Sequence, residues 1–362
     1  MKTFSCQCGN TLYFGNTKCI QCGLFVGFIP DVQQLSAFTK TADDVMLASN
    51  NGKQYKPCKN YAIHDVCNWM VEIDDPNDCC VSCRLTETIP NLDDDENRRL
   101  WFLLEQAKRR FLYSAIKLKL PILSGKEDPK HGLGFDFLQD QTEDRFGNEL
   151  TIKKFVTTGH SDGLITININ EANPAKRIKL REKMNENYRT LLGHFRHESG
   201  HYYWDRLIRD TEHLSEFRTL FGDERMDYQE AMSHYYENGP AENWKDVWIS
   251  AYATMHPWED WAETWAHYFH MVDTLETANN CDLSIYSVEI VSPYTATKTH
   301  SKLDTEISFS KLYNDWCALT GVINSLNRSM GMDDAYPFVI SITALNKLRF
   351  VHQVIMELTE SS

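Results

Sequence analysis

His194-Phe195-Arg196-His197-Glu198-Ser199-Gly200-His201-Tyr202-Tyr203-Trp204 contains the pattern H-E-x-x-H at His197, Glu198 and His201. Residues four apart share one face of a helix, so both imidazoles can reach a single metal ion. Glu198 follows His197 directly and points its carboxylate beside that ion, where a water would sit. Such an ion acidifies the water, the carboxylate takes the proton, and the hydroxide attacks a carbonyl. Short matches to the pattern also occur in ordinary helices, with the histidines as surface or capping residues. Here Leu191, Leu192, Phe195, Tyr202, Tyr203 and Leu207 clothe the segment and predict a buried helix. Buried imidazoles and a buried carboxylate need partners, and one metal serves all three.

A catalytic zinc usually takes three protein ligands and keeps one position open. The best source of a third is His256-Pro257-Trp258-Glu259-Asp260-Trp261-Ala262-Glu263-Thr264-Trp265-Ala266-His267-Tyr268. Proline suits the first position of a helix, which puts Glu259 in the first turn and Glu259, Glu263 and His267 on one face. Acids near a helix start also complement its dipole, which explains Glu259 and Asp260 without a metal but not Glu263 or His267. Spacing leaves open whether Glu259 or Glu263 faces the ion. His194 lies one turn before His197 and reads as a ligand or, more simply, a hydrogen-bonded neighbour. For a donor to a developing oxyanion the candidates are His267, Tyr268, Tyr252 and His256, with the first two ranked ahead.

The rest of the chain sets the context. With 362 residues it has room for one to three domains, and 42% hydrophobic with 24% charged residues is a globular profile. The net charge of -14 disfavours broad binding to nucleic acid or anionic lipid. No apolar run spans a membrane and the start lacks a signal core, so the expected location is the cytoplasm. Nine of the eleven cysteines fall before residue 84. An odd, clustered count reads as thiolate zinc sites, not a disulfide framework.

Residues 1–31 hold Cys6, Cys8, Cys19 and Cys22 in two knuckles ending in Gly9 and Gly23, the pattern of a zinc ribbon. Residues 32–54 are polar and read as a linker. Cys58, Cys67, Cys80 and Cys83 suggest a second four-thiolate site, with Cys79 spare and His64 a substitute. The second module is therefore placed at 32–95 and the third at 96–362. Residues 97–119 carry an amphipathic helix whose Arg98, Arg99, Lys108, Arg109 and Arg110 read as a solvated face. Residues 153–170 read as a hairpin turning at 159–163. Its second strand, with Ile165 and Ile167, is a candidate edge for backbone pairing with a substrate. Helices are expected at 187–208, 224–236, 241–254, 257–275, 305–326 and 338–357. The fold class is α+β, mainly helical, with a small β-sheet.

Cys6-x-Cys8-Gly9, Cys19-x-x-Cys22-Gly23, Cys67-Asn68-Trp69 and Cys80-x-x-Cys83-Arg84-Leu85-Thr86 resemble the bacterial "putative zinc-binding metallopeptidases" with an amino-terminal zinc-ribbon region. Thr158-Gly159-His160, the run from Tyr188 to Trp204 and His256-Pro257-Trp258-Glu259-Asp260-Trp261-Ala262-Glu263 extend the resemblance over nearly the whole chain. Ser199 stands where this family is expected to carry an aliphatic residue. The resemblance implies a zincin-like domain of the glutamate type, with one catalytic and one or two structural zinc ions. By that template Glu259 is the third ligand and Glu263 orients a ligand histidine, with the reverse assignment still open. It also implies a protein or peptide substrate, hydrolysed with Glu198 as base. The rival is a non-catalytic scaffold whose ribbons bind a protein or nucleic acid beside a vestigial site. Residues 1–31 show little of the basic and aromatic clustering that nucleic-acid binding needs.

Overall fold

Glycine turns and short apolar stretches divide the amino-terminal part of the chain into brief strands. The computed structural model describes residues 2–41, 45–145, 149–183, 189–283 and 303–361. The expected helix start at 187–188, with Tyr188 of the long motif, lies outside them. Two compact units result, Met1–Lys117 with Pro121–Phe195 and Leu118–Leu120 with Arg196–Ser362.

In the first unit β1 (Phe4–Ser5) pairs with β2 (Thr11–Leu12). A five-stranded antiparallel sheet follows in chain order: β3 (Phe25–Ile29), β4 (Gln34–Lys40), β5 (Met46–Ala48), β6 (Gln54–Pro57) and, after α1 (Lys59–Ala62), β7 (Met70–Glu72). The expected linker at 32–54 is therefore corrected to two strands, β4 and β5, running up to the first residue of β6. Its polar composition hides Leu35, Ala37, Phe38 and Ala48, all buried, which suffice to seat such short strands.

β8 (Thr86–Thr88) leads to α2 (Asp95–Lys117). Tyr113 of α2 packs on Phe14 and Phe28 with ring centroids 5.5 and 6.0 Å apart, and Phe28 lies tilted against Trp69 at 4.9 Å. One core thus runs across both expected module borders, at 31/32 and 95/96. Of the residues read as the solvated face of α2, Arg98, Arg99 and Arg110 are exposed, but Lys108 and Arg109 are buried and are corrected. Lys108 Nζ donates to Glu105 Oε1 at 3.0 Å and to Thr86 Oγ1, and lies over the rings of Phe135 and Phe137. Paired with acid, hydroxyl and π-faces, a lysine is tolerated inside.

Then come β9 (Gly134–Leu138), β10 (Gln141–Arg145), β11 (Glu149–Lys154), β12 (Gly159–Ser161) and β13 (Leu164–Asn168). β10 and β11 pair with each other, while the others form a mixed sheet in the order β12-β13-β9-β8. The hairpin turns at Asp162-Gly163, whose φ angles of 47° and 84° are what a two-residue primed turn demands. Gly159, His160 and Ser161 are strand, not turn. β13 hydrogen-bonds β12 on one side and β9 on the other, so Ile165 and Ile167 lie on no free edge. Their expected role in backbone pairing with a substrate is corrected, the exposed edge on that side being β12.

α3 (Pro174–Lys183) precedes α4 (Leu191–Leu207), which straddles the division between units. The second unit is helical: α5 (Leu214–Phe221), α6 (Tyr228–Asn238), α7 (Trp244–Val247), α8 (Pro257–Asn280), α9 (Leu303–Ser329) and α10 (Ile342–Ser361). The helix expected at 241–254 shrinks to α7 and a single turn at Tyr252–Thr254, since Trp248 is extended. Trp261 and Trp265 of α8 are fully buried and centre the core of this unit. No helix among the described residues is long and apolar enough to cross a membrane.

Candidate metal centres

Gly200 decides how closely α8 approaches α4. A Cβ there would lie 2.8 Å from Ala262 Cα, so only glycine admits the contact. Two indoles rivet it: Trp261 Nε1 donates to Gly200 O at 2.9 Å, and Trp265 Nε1 to Ser199 Oγ at 3.2 Å. Ser199 Oγ in turn donates to Arg196 O at 2.7 Å. Its hydroxyl thus links α8 to the backbone of α4.

That contact brings the acids of α8 onto the histidines of α4. Glu259 Oε2 lies 3.0 Å from His197 Nε2, and Glu259 Oε1 lies 3.3 Å from His201 Nε2. Glu263 Oε1 sits 2.7 Å from His197 Nδ1, and Ser250 Oγ donates to Glu263 Oε2 at 2.6 Å. Glu259, Glu198 and His201 are buried. Burial by itself would lower the pKa of His197, but Glu259 and Glu263 outweigh it and hold it well above the ordinary value. Burial would raise Glu259, yet His201 and His197 hold its carboxyl well below the usual range.

The donor set fits a cation. With Glu263 accepting the proton of His197 Nδ1, a neutral ring turns a lone pair on Nε2 toward the Glu259 carboxylate. Two electron pairs 3.0 Å apart repel unless a proton or a metal lies between them. The side chains of His197, His201 and Glu259 present their ligand atoms within 4.8 Å of one another. A tetrahedron of nitrogen and oxygen about 2.1 Å from zinc has edges of about 3.4 Å, close to the observed spacings.

Cys6, Cys8, Cys19 and Cys22 converge likewise, as do Cys58, Cys67, Cys80 and Cys83. Sulfur separations are 3.7 Å for Cys6–Cys22 and Cys8–Cys19 and 3.8 Å for Cys67–Cys80. Four thiolates about 2.3 Å from zinc stand about 3.8 Å apart, whereas a disulfide needs about 2.05 Å. Gly9 and Gly23 take φ of 84° and 74°, which the tight knuckles require. In the second cluster the amides of Trp69 and Cys80 donate to Cys67 and Cys58 sulfur. Cys79 is outside both clusters, and His64 instead packs on Trp101.

Other sequence candidates go elsewhere. His194 Nε2 bonds Glu171 Oε2 at 3.1 Å. His267 Nδ1 bonds the Tyr336 hydroxyl at 2.8 Å, and Tyr268 OH bonds His352 Nδ1 at 2.9 Å. Both are buried among α9, α10 and their connection, so their expected role as oxyanion donors is corrected: residues eight and nine past Glu259 are two turns away along α8. His256 caps α8, its Nδ1 accepting from Trp258 N. Tyr252 stays near, its ring 6.0 Å from that of His197. Sequence reasoning missed Tyr228, whose hydroxyl donates to Glu259 Oε1 at 2.9 Å. Nothing local signals it, since Tyr228 merely follows Asp227, the N-cap of α6.

The family described as "Putative zinc-binding metallo-peptidase" matches residues 97–354, and a zinc-ribbon domain matches residues 3–94. An uncharacterized protein of Mycobacterium bovis is 40% identical over 359 residues, covering 99% of this chain and 96% of its own. Two uncharacterized proteins of Mycobacterium tuberculosis match to the same extent. No solved structure matches the chain.

Proposed function

The chain belongs to the zinc-binding metallopeptidase family with an amino-terminal zinc ribbon, and on that premise we propose that it is a zinc-dependent peptidase using Glu198 as general base. His197, His201 and Glu259 hold the catalytic ion, and the two cysteine clusters hold structural zinc. Zinc, when bound, supplies the Lewis acidity that lets a water lose its proton near neutral pH and that polarises a carbonyl. Glu198 accepts that proton and returns it to the leaving amine as the peptide bond breaks. Glu263 holds His197 in the tautomer whose Nε2 is free for the ion, and Ser250 fixes Glu263. The domain from residue 96 is read as zincin-like, with ribbon modules at 1–31 and 32–95 that share a core with α2.

The observation that carries this reading is the placement of His197 between Glu259 and Glu263. An acid on each ring nitrogen makes one of them an orienting partner and leaves the other to share a cation. Glu198→Gln keeps the shape and removes the base. The expected result is loss of casein hydrolysis with full zinc content. A Gln variant as active as the wild type would refute the mechanism, and an inert wild type with zinc bound would favour a scaffold.

A further inference from the structure

We infer that Tyr228 is a further catalytic residue, its phenol donating a hydrogen bond to the oxyanion that develops at the attacked carbonyl. The inference rests on the peptidase reading above. Tyr228 OH stands 2.9 Å from Glu259 Oε1, an atom of the metal-facing carboxylate. With Oε1 as the ligand oxygen, about 2.1 Å from zinc, the hydroxyl would stand within about 5 Å of the ion. An oxygen taking the coordination position on that side of Glu259 would fall within its reach. Of the four candidates drawn from the sequence, His267 and Tyr268 are bonded to Tyr336 and His352, His256 caps α8, and Tyr252 stays near with its ring 6.0 Å from that of His197.

The element carrying Tyr228 suits a group that changes partner. α6 has no buried residue, and only Tyr228, Ala231, Met232 and Tyr235, at helical spacing along one face, are half-buried. The segment is bounded by Gly222 and Gly239 at φ of 104° and 79°. Tyr252 lies close enough to act on the Tyr228 phenol, so a second polar group is at hand when the proton turns from Glu259 toward the substrate. A neutral donor waiting on a carboxylate costs little to redirect, because the carboxylate still shares the cation. The hydroxyl remains protonated throughout, and no bond to hydrogen is broken.

The test uses the full-length protein with casein as substrate and phosphoryl-Leu-Trp, whose phosphoryl group is tetrahedral and anionic, as binding probe. Tyr228→Phe is expected to lower kcat by about 10²–10³-fold with KM little changed. Affinity for phosphoryl-Leu-Trp should fall while zinc content and the thermal midpoint stay at wild-type values. Casein binding, measured in a Glu198→Gln background, should not move. Loss of zinc in Tyr228→Phe would show that the phenol only positions Glu259 and would overturn the inference. Unchanged kcat beside an active wild type would overturn it while leaving the peptidase reading intact. A wild type that neither cleaves casein nor binds the probe removes both.

Discussion

Gly200→Ala adds one methyl group between α4 and α8, at the point where the histidines meet the acids. The new Cβ would lie 2.8 Å from Ala262 Cα and 3.2 Å from Ala262 Cβ. Carbon atoms prefer about 3.5–4.0 Å, so the helices must part by roughly 0.7 Å or more. The obstacle is backbone and cannot swing aside. Overpacking of this kind costs about 1–3 kcal/mol, and alanine recovers about 1 kcal/mol of helix propensity over glycine. Net destabilisation should therefore be no more than about 2 kcal/mol, and the protein should fold. The metal site is less forgiving, because ligand distances tolerate only about ±0.2 Å. His201 follows Gly200 directly and Glu259 lies one turn before Ala262, so the shift falls on both. The expected outcome is loss of the catalytic zinc and of hydrolysis, with the zinc of the cysteine clusters retained as an internal control. Metal analysis of the purified variant beside a casein assay and a thermal melt reads all three. Wild-type zinc content and activity in Gly200→Ala would refute the claim that this contact sets the ligand geometry.

Glu263→Gln should weaken zinc binding at the catalytic site by about 10–100-fold, read by chelator competition, because the amide no longer fixes His197 as a carboxylate does. Cys67→Ser should lose one thiolate-bound zinc per chain, whereas Cys79→Ser, outside both clusters, should keep all of them. Burial would raise the pKa of Glu171, but His194 and Arg189 bring it down to about 2. Its stabilisation is therefore present above the unfolded value near 4.5 and is lost as pH falls toward 2, amounting to at most about 3 kcal/mol. Denaturant midpoints of wild type and Glu171→Gln should converge between pH 4.5 and pH 2, and a constant gap would refute the pairing.

Much of the site could be read along the chain because its marks are local. The interval of four between His197 and His201 fixes a shared helix face, and cysteine knuckles closed by glycine are complete within a few residues. The same holds for Pro257 at the start of α8. Elsewhere local reading failed for a physical reason. Residues 32–54 look polar because a short strand needs only a few inward side chains. Lys108 and Arg109 look solvated because their buried partners, Thr86 and Val66, come from distant positions. β13 looks like an edge because the neighbour on its far side, β9, precedes it by some thirty residues.

The sequence alone determined which chemistry is available: two imidazoles and a carboxylate on one helix, two acids on another, and eight thiols in two clusters. Tertiary structure decided which acid meets which nitrogen, that Tyr228 joins them, and that His267 and Tyr268 do not. The reason is that helical periodicity sets what shares a face but not what that face meets. That depends on how near two helices can come, and here it is governed by a missing methyl at Gly200 against Ala262, a contact between residues with no periodic relation in the sequence.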